Sequence, residues 1–127
     1  MKAHLKFVHT APRKIRLILD EIRGISAKVA ESRLLFMPNQ AARDIYAVLH
    51  SAIYNAKDSG IETDKLLIKT AICDDGPRVK RRIMASRGRA KPITKQMSHI
   101  LIELMTPHQN VSKIKNDDDG STKEELK

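Results

Sequence analysis

Residues 66–105 read LLIKTAICDDGPRVKRRIMASRGRAKPITKQMSHILIELM, and this stretch decides the fold. Its first eight residues alternate along the chain and predict a strand with one buried face. The alternation assigns the inward positions to Leu66, Ile68, Thr70 and Ile72. A second strand is predicted over His99–Met105, with Ile100, Ile102 and Leu104 inward. Two strands that flank one polar segment pair most simply as an antiparallel hairpin.

The segment between the two predicted strands is strongly basic. Its stretch from Arg78 to Lys95 contains no acid and eight cations: Arg78, Lys80, Arg81, Arg82, Arg87, Arg89, Lys91 and Lys95. Ordinary solvated surfaces mix both signs, because like charges at close spacing repel each other. An unbroken cationic run therefore requires an external counter-charge, and a polyanion such as nucleic acid is the most common one. A connection this long predicts an arm that projects from the domain and is ordered by its partner.

The residues before the hairpin predict three helices and one more strand. Leu5 and Phe7 alternate with His4 and Lys6, which is typical of a short strand. Helical spacing then gives three apolar stripes, whose members are Ile15, Ile18, Leu19 and Ile22; Ala27, Ala30 and Leu34; and Ala41, Ile45, Val48, Leu49, Ala52, Ile53 and Ala56. The predicted fold class is α+β, with three helices packed on a small three-stranded antiparallel sheet and a long protruding β-hairpin.

Length and charge divide the chain into a domain and a tail. The 127 residues, with a formal net charge of +9, suffice for one compact domain. We predict a single nucleic-acid-binding domain over residues 1–110, with its extended hairpin at about 74–98. Residues 111–127 are predicted to be an acidic, disordered tail, because they hold five acids and too few apolar side chains to form a core.

Several classes of function are disfavoured by the composition. No uncharged apolar run in the sequence is nearly long enough to span a membrane, so no membrane partner is expected. Cys73 is the only cysteine, and the five histidines are dispersed along the chain. We therefore expect no metal site and no cofactor. The chain contains no recognised nucleotide-binding or nucleophile motif, so we do not expect an enzyme.

Six short motifs follow one another in a fixed order along residues 3–105. Three lie upstream of the basic segment: Pro12-Arg13-Lys14-Ile15-Arg16, Ile22-Arg23-Gly24 and Ser51-Ala52-Ile53-Tyr54-Asn55-Ala56. Three lie in or beside it: Gly76-Pro77-Arg78-Val79-Lys80-Arg81-Arg82, Arg87-Gly88-Arg89-Ala90 and Ser98-His99-Ile100. In this order they resemble the large-subunit ribosomal protein twenty-two family of the bacterial type. The chain departs from the family between Met84 and Gly88, where it is one residue shorter and lacks a proline.

The resemblance implies a structural constituent of the large ribosomal subunit. Such a protein would bind large-subunit ribosomal RNA, help its assembly and line the nascent-polypeptide exit tunnel with its basic hairpin. The implied partners are that RNA, neighbouring large-subunit proteins and the nascent polypeptide. Carried over by position, the RNA contacts fall in the hairpin on Arg78, Lys80, Arg81, Arg82, Arg87, Gly88, Arg89, Lys91 and Lys95, and in the first helix on Arg13, Lys14, Arg16 and Arg23.

Two other functions compete with this interpretation. An architectural DNA-binding protein could use the same basic β-arm, and equal affinity for random duplex DNA and large-subunit RNA would favour it. A hydrolase acting on nucleic acid would instead show metal-dependent turnover. The expected location is the cytoplasmic ribosome, with an organellar ribosome as the alternative.

Overall fold

The computed structural model describes residues 1–107. These residues form three helices and three strands: β1 (Lys2–Val8), α1 (Pro12–Ile22), α2 (Ala27–Phe36), α3 (Gln40–Asp58), β2 (Leu67–Met84) and β3 (Ala90–Met105). Two single-turn 3₁₀ helices, Thr63–Lys65 and Ser86–Gly88, precede and follow β2. The predicted acidic tail over 111–127 lies outside the described residues.

The three strands form one antiparallel sheet in the order β1-β3-β2. The central strand, β3, pairs with β1 over the body of the domain and with β2 along almost its whole length. The outer side of β2 is therefore an edge of the sheet. This architecture confirms the predicted α+β fold class.

The helices bury the stripes that the periodicity predicted. Ile15, Leu19 and Ile22 of α1 are fully buried, as are Ile45 and Leu49 of α3. Each buried aliphatic side chain of this size contributes about 1.5–3 kcal/mol through the hydrophobic effect. These stripes pack on the sheet face formed by Ile100, Ile102 and Leu104 of β3, which are buried as predicted.

The predicted inward face of β2 is wrong beyond Ile68. The register with β3 shifts between Ile68 and Thr70, where one extra residue of β2 forms a bulge. A single inserted residue moves the following side chains to the opposite face. Ala71 and Cys73 are therefore buried, whereas Ile72 is exposed.

A second bulge changes which side chains of β1 lie inward. The register with β3 shifts between Leu5 and Val8, and Phe7 within this interval has a φ of +59°. Ala3 and Val8 are buried, whereas Leu5 and Phe7 are exposed. The alternation correctly predicted a strand here, but strict alternation does not hold across the bulge.

The β2–β3 ladder continues beyond the body of the domain as a hairpin. A register shift between Asp75 and Arg78 marks its root, and pairing then runs regularly from Arg78 to Met84. At about 3.3 Å per residue, this paired stem is about 20 Å long. Every residue from Lys80 to Gln96 is exposed, so the hairpin projects from the core.

Candidate nucleic-acid interface

The register of the hairpin distributes its cations over both faces. Side chains on one strand alternate between the two faces, and directly paired residues share a face. One face therefore carries Arg78, Lys80 and Arg82. The other face carries Arg81, Lys91 and Lys95. A ligand that neutralised only one face would leave half of the stem's positive charge uncompensated.

The pairing also places each stem cation opposite an uncharged residue. The partners are Gln96 for Arg78, Thr94 for Lys80, Pro92 for Arg82, Ile93 for Arg81, Ile83 for Lys91 and Val79 for Lys95. Like charges directly opposite each other in a ladder are destabilising. This alternation lets two adjacent strands hold a dense positive charge while they remain paired.

The tip of the hairpin is a tight turn with two left-handed residues. Arg87 has a φ of +58° and Gly88 a φ of +71°. Glycine adopts this conformation without steric cost, whereas arginine adopts it at some cost. The backbone N–H of Ala85 donates to the carbonyl oxygen of Arg89 at 2.7 Å and closes the turn. The predicted contact residues Arg87, Gly88 and Arg89 thus lie together at the exposed end.

Two of the arginines predicted to contact RNA donate hydrogen bonds to the edge strand of the sheet. Arg16 donates through Nε and Nη2 to the carbonyl oxygen of Cys73, at 3.2 and 3.1 Å. Arg23 donates in the same way to the carbonyl oxygen of Ala71, at 3.0 and 2.9 Å. These carbonyl groups belong to the edge strand β2, and the two arginines satisfy acceptors that a sheet edge would otherwise leave to another chain.

One carboxylate joins α1 to the root of the hairpin. Asp75 accepts from Arg16 Nη2 at 2.8 Å and lies 3.4 Å from Nη2 of Arg78. Both pairs are about half exposed, so each is worth at most about 1 kcal/mol to stability. Their geometry nevertheless links the helical cations to the hairpin cations in one continuous surface.

The other two predicted helical contacts lie on different sides of α1. Arg13 is three residues from Arg16 and so faces the same side of the helix, toward β2. Lys14 instead lines a groove with Leu17 and with the start of α3. The structure therefore places Arg16 and Arg23 against the edge strand β2, Arg13 on the same side of α1 as Arg16, and Lys14 apart from them.

The thiol beneath this surface is a packing group. Cys73 is 5% exposed, and burial raises the pKa of its thiol, while Ser98 and the Arg16 charge act in the opposite direction. A protonated thiol is a poor nucleophile. Residues 1–107 contain no cluster of three or more histidine, cysteine, aspartate or glutamate side chains placed to hold a metal ion. Within the same range, no helix is both long and apolar enough to cross a membrane.

Two residues of this surface were not predicted as site residues. Asp75 bridges the two groups of cations, and Gly76 lets β2 approach the backbone of Met97 at the root. The sequence did carry a signal for both, since an acidic residue before Gly-Pro at the end of a strand indicates a turn. The signal did not reveal which cations the carboxylate pairs with, because Arg16 lies 59 residues away.

Comparison with known proteins identifies one family. The model of the family "Ribosomal protein L22p/L17e" matches residues 3–105. Among curated proteins, the "Large ribosomal subunit protein uL22" of Aquifex aeolicus is 43% identical over 102 residues, which cover 80% of this chain and 77% of that protein. The proteins of the same name from Campylobacter fetus and Anaeromyxobacter sp. (strain K) are 40% and 37% identical over 106 residues. These matches cover 84% and 82% of this chain, and 94% and 73% of the respective relatives.

Proposed function

Since the chain belongs to the L22p/L17e family of ribosomal proteins of the large subunit, we propose that it binds large-subunit ribosomal RNA, helps that RNA to assemble, and lines the nascent-polypeptide exit tunnel with its hairpin. The proposed partners are this RNA, neighbouring large-subunit proteins and the nascent polypeptide. The proposed location is the cytoplasmic ribosome. The proposed domain comprises residues 1–110, with residues 111–127 as its acidic tail.

The observation that carries the RNA-binding proposal is the charge on both faces of the hairpin stem. Three cations lie on each face, and the facing residues on the paired strand are uncharged. A single flat phosphate surface could contact only one of these faces. Folded RNA can supply phosphates on both sides of a narrow ribbon, and the binding then releases counterions from each side.

The helical surface extends this contact to the body of the domain. Arg16 and Arg23 contact the edge strand β2, and Asp75 connects Arg16 to Arg78 at the root of the hairpin. Guanidinium groups that donate inward to β2 retain other N–H donors, because each guanidinium has five. We infer that the RNA follows a path from α1 to the stem of the hairpin.

The tunnel proposal rests on the shape and composition of the hairpin end. The paired stem is about 20 Å long, only two strands wide, and exposed on all sides. Its end presents Met84 with most of the side chain in solvent, next to the tight turn at Ser86–Gly88. A slender element whose tight, cationic tip lies next to an exposed methionine fits the wall of a narrow channel through which unfolded chains of varied composition pass.

Salt dependence of RNA binding tests the two-sided contact. The variants Arg81→Ala and Arg82→Ala remove one cation from each face of the stem. Against in vitro transcribed large-subunit RNA, each should flatten the plot of log affinity against log salt by about one unit, and the double variant by about two. The control variant Arg43→Ala/Lys65→Ala removes the same charge from exposed positions outside the hairpin and should leave the slope nearly unchanged.

The outcome of this experiment separates the alternatives. A double variant with the wild-type slope would show that the hairpin does not bind the RNA. If only one of the two single variants flattened the plot of log affinity against log salt, the RNA would contact a single face of the stem. Equal affinity of the wild-type protein for random duplex DNA and for large-subunit RNA would favour the architectural DNA-binding function.

Cross-linking in ribosomes tests the position in the tunnel. Ser86 lies at the exposed tip and Ser32 on the exposed side of α2. A photoactivatable thiol reagent on Ser86→Cys should cross-link to a stalled nascent chain, whereas the same reagent on Ser32→Cys should not. Equal yields at the two positions would contradict the tunnel proposal.

A further inference from the structure

The face of the sheet opposite the helices displays a small aromatic cluster at the root of the hairpin. Within residues 1–107 the helices cover the face of Ile100 and Ile102, so the side chains of His99 and Leu101 lie on the other face. His4 pairs with Leu101 and shares that face. The ring of Phe7 packs on the His99 ring at a centroid distance of 4.9 Å, and the rings of His4 and His99 are 6.4 Å apart.

The position of Phe7 is held by the backbone at a conformational cost. Its φ of +59° is in the left-handed region, which an aromatic residue rarely occupies. Its N–H donates to Nδ1 of His99 at 3.0 Å, so the imidazole accepts at this nitrogen. Strained residues of this kind persist only where surrounding contacts fix them, and they occur preferentially at functional sites. Here the strain keeps a large apolar ring in solvent, with 57% of its surface exposed.

The two rings are arranged so that an incoming planar group can stack on them. Phe7 and His99 are nearly perpendicular, at 86°. In this edge-to-face arrangement, each ring keeps at least one face that the other ring does not cover. Exposed aromatic rings on an open sheet are the means by which several RNA-binding domains hold unpaired bases. The basic hairpin itself contains no aromatic residue, so an aromatic stacking surface can come only from another part of the protein.

We propose that Phe7, with His99 and His4, forms a stacking platform for an unpaired RNA base at the root of the hairpin. The charges around the cluster determine how the bound nucleotide is oriented. Lys6, adjacent to Phe7, is exposed on the β1 side, whereas the carboxylate of Asp74 lies opposite His99 on the β2 side. The phosphates therefore lie toward Lys6, and the edge of the base, with its N–H donors, lies toward Asp74.

The proposal rests on the proposed RNA-binding function but concerns a surface separate from the hairpin cations. Phe7 lies next to Val8, which pairs with Ser98, where β3 passes from the hairpin into the body of the domain. An RNA that contacts the stem is therefore close enough to place an unpaired base on the ring.

A single tryptophan reporter tests this inference in the full-length protein. The chain contains no tryptophan, so Phe7→Trp introduces the only indole. Its fluorescence should be quenched by single-stranded oligoadenylate and much less by an RNA duplex with the same number of nucleotides, compared at equal saturation. Phe36→Trp is the matched control, because Phe36 is 85% exposed on α2, away from the cluster. Its fluorescence should not change with either RNA.

Affinity measurements give a second, independent test. Phe7→Leu keeps an apolar side chain but removes the π face, and it should weaken binding of oligoadenylate by about 10-fold. Phe7→Tyr keeps the ring and should bind as the wild-type protein does. Thermal unfolding of both variants verifies that the fold is retained.

Three results would overturn the proposal. The first is equal quenching of the Phe7→Trp indole by single-stranded and duplex RNA, or no quenching by either. The second is unchanged affinity of Phe7→Leu. The third is a solvent-shielded emission of that indole in the free Phe7→Trp protein, which would show that residues 108–127 or a second copy already cover this face.

The same measurements distinguish this inference from the proposed function. If the wild-type protein binds RNA with a steep salt dependence while the indole of Phe7→Trp does not respond, this inference fails alone. If the wild-type protein binds neither large-subunit RNA nor oligoadenylate, the proposed function fails as well.

Discussion

The substitution Gly76→Ala should destabilise the protein and distort the root of the hairpin. A Cβ on Gly76 would lie 2.9 Å from both the carbonyl carbon and the carbonyl oxygen of Met97, and 3.1 Å from the nitrogen of Ser98. These are backbone atoms of the central strand, so a side-chain rotation cannot relieve the contact. Overpacking of this kind typically costs about 1–3 kcal/mol. Ser98 is fully buried and donates to the carbonyl oxygen of Thr10 at 2.8 Å, so a shift of β3 would also strain that bond.

Urea unfolding at neutral pH measures this cost, and Gly24 provides the control. Gly24 has a φ of +76°, and a Cβ added there would have no neighbouring atom within 4 Å. This position therefore requires glycine for conformational rather than steric reasons. At Gly24, asparagine should be tolerated better than alanine, because asparagine adopts the left-handed conformation more readily. At Gly76, asparagine should be at least as destabilising as alanine. A Gly76→Ala protein with the wild-type free energy of unfolding would refute the steric argument.

Two further predictions concern α1 and the strand beneath it. Arg23→Met should lower the free energy of unfolding by about 1.5–3 kcal/mol, because the carbonyl of Ala71 loses a charged donor, and Arg23→Lys should recover only part of this in the same urea titration. The raised pKa of the Cys73 thiol should make the protein less stable in alkali. The stability that the buried, neutral thiol contributes is complete below the pKa of the unfolded thiol and is lost as the pH rises through the pKa of the folded thiol. The free energy of unfolding of Cys73→Ala should therefore decline less between these two pKa values.

The local elements were predictable because their signals lie within a few turns or one strand. The stripe from Ile15 to Ile22 and the longer stripe in α3 specify amphipathic helices with a single buried side. The alternation from Ile100 to Leu104 specifies a half-buried strand. The fold class then followed from packing three apolar stripes on one sheet, and the hairpin cations were identified because no acid interrupts them.

The bulges could not be predicted, because they depend on the partner strand. The extra residue between Ile68 and Thr70 is defined only by its register with β3, more than 30 residues further along the chain. The left-handed conformation of Phe7 depends on the imidazole of His99, which is 92 residues away. Strict alternation therefore assigned Ile72 to the wrong face and gave no indication of the bulge at Phe7, although both segments were correctly predicted to be strands.

The position of an arginine near the basic motifs of the sequence does not distinguish the two uses of arginine in this protein. The stem arginines Arg81 and Arg82 lie opposite uncharged residues and are exposed to solvent. The guanidinium of Arg16 donates to Cys73 and to Asp75, so it also holds α1 against the edge of β2. If the stem binds RNA as proposed, the loss of a stem cation removes a phosphate contact and flattens the salt dependence of binding, with little effect on stability. The loss of Arg16 removes hydrogen bonds within the fold, and it therefore lowers the free energy of unfolding even when no RNA is present. Unfolding measured without RNA thus separates the arginines that build the surface from those that only contact the ligand.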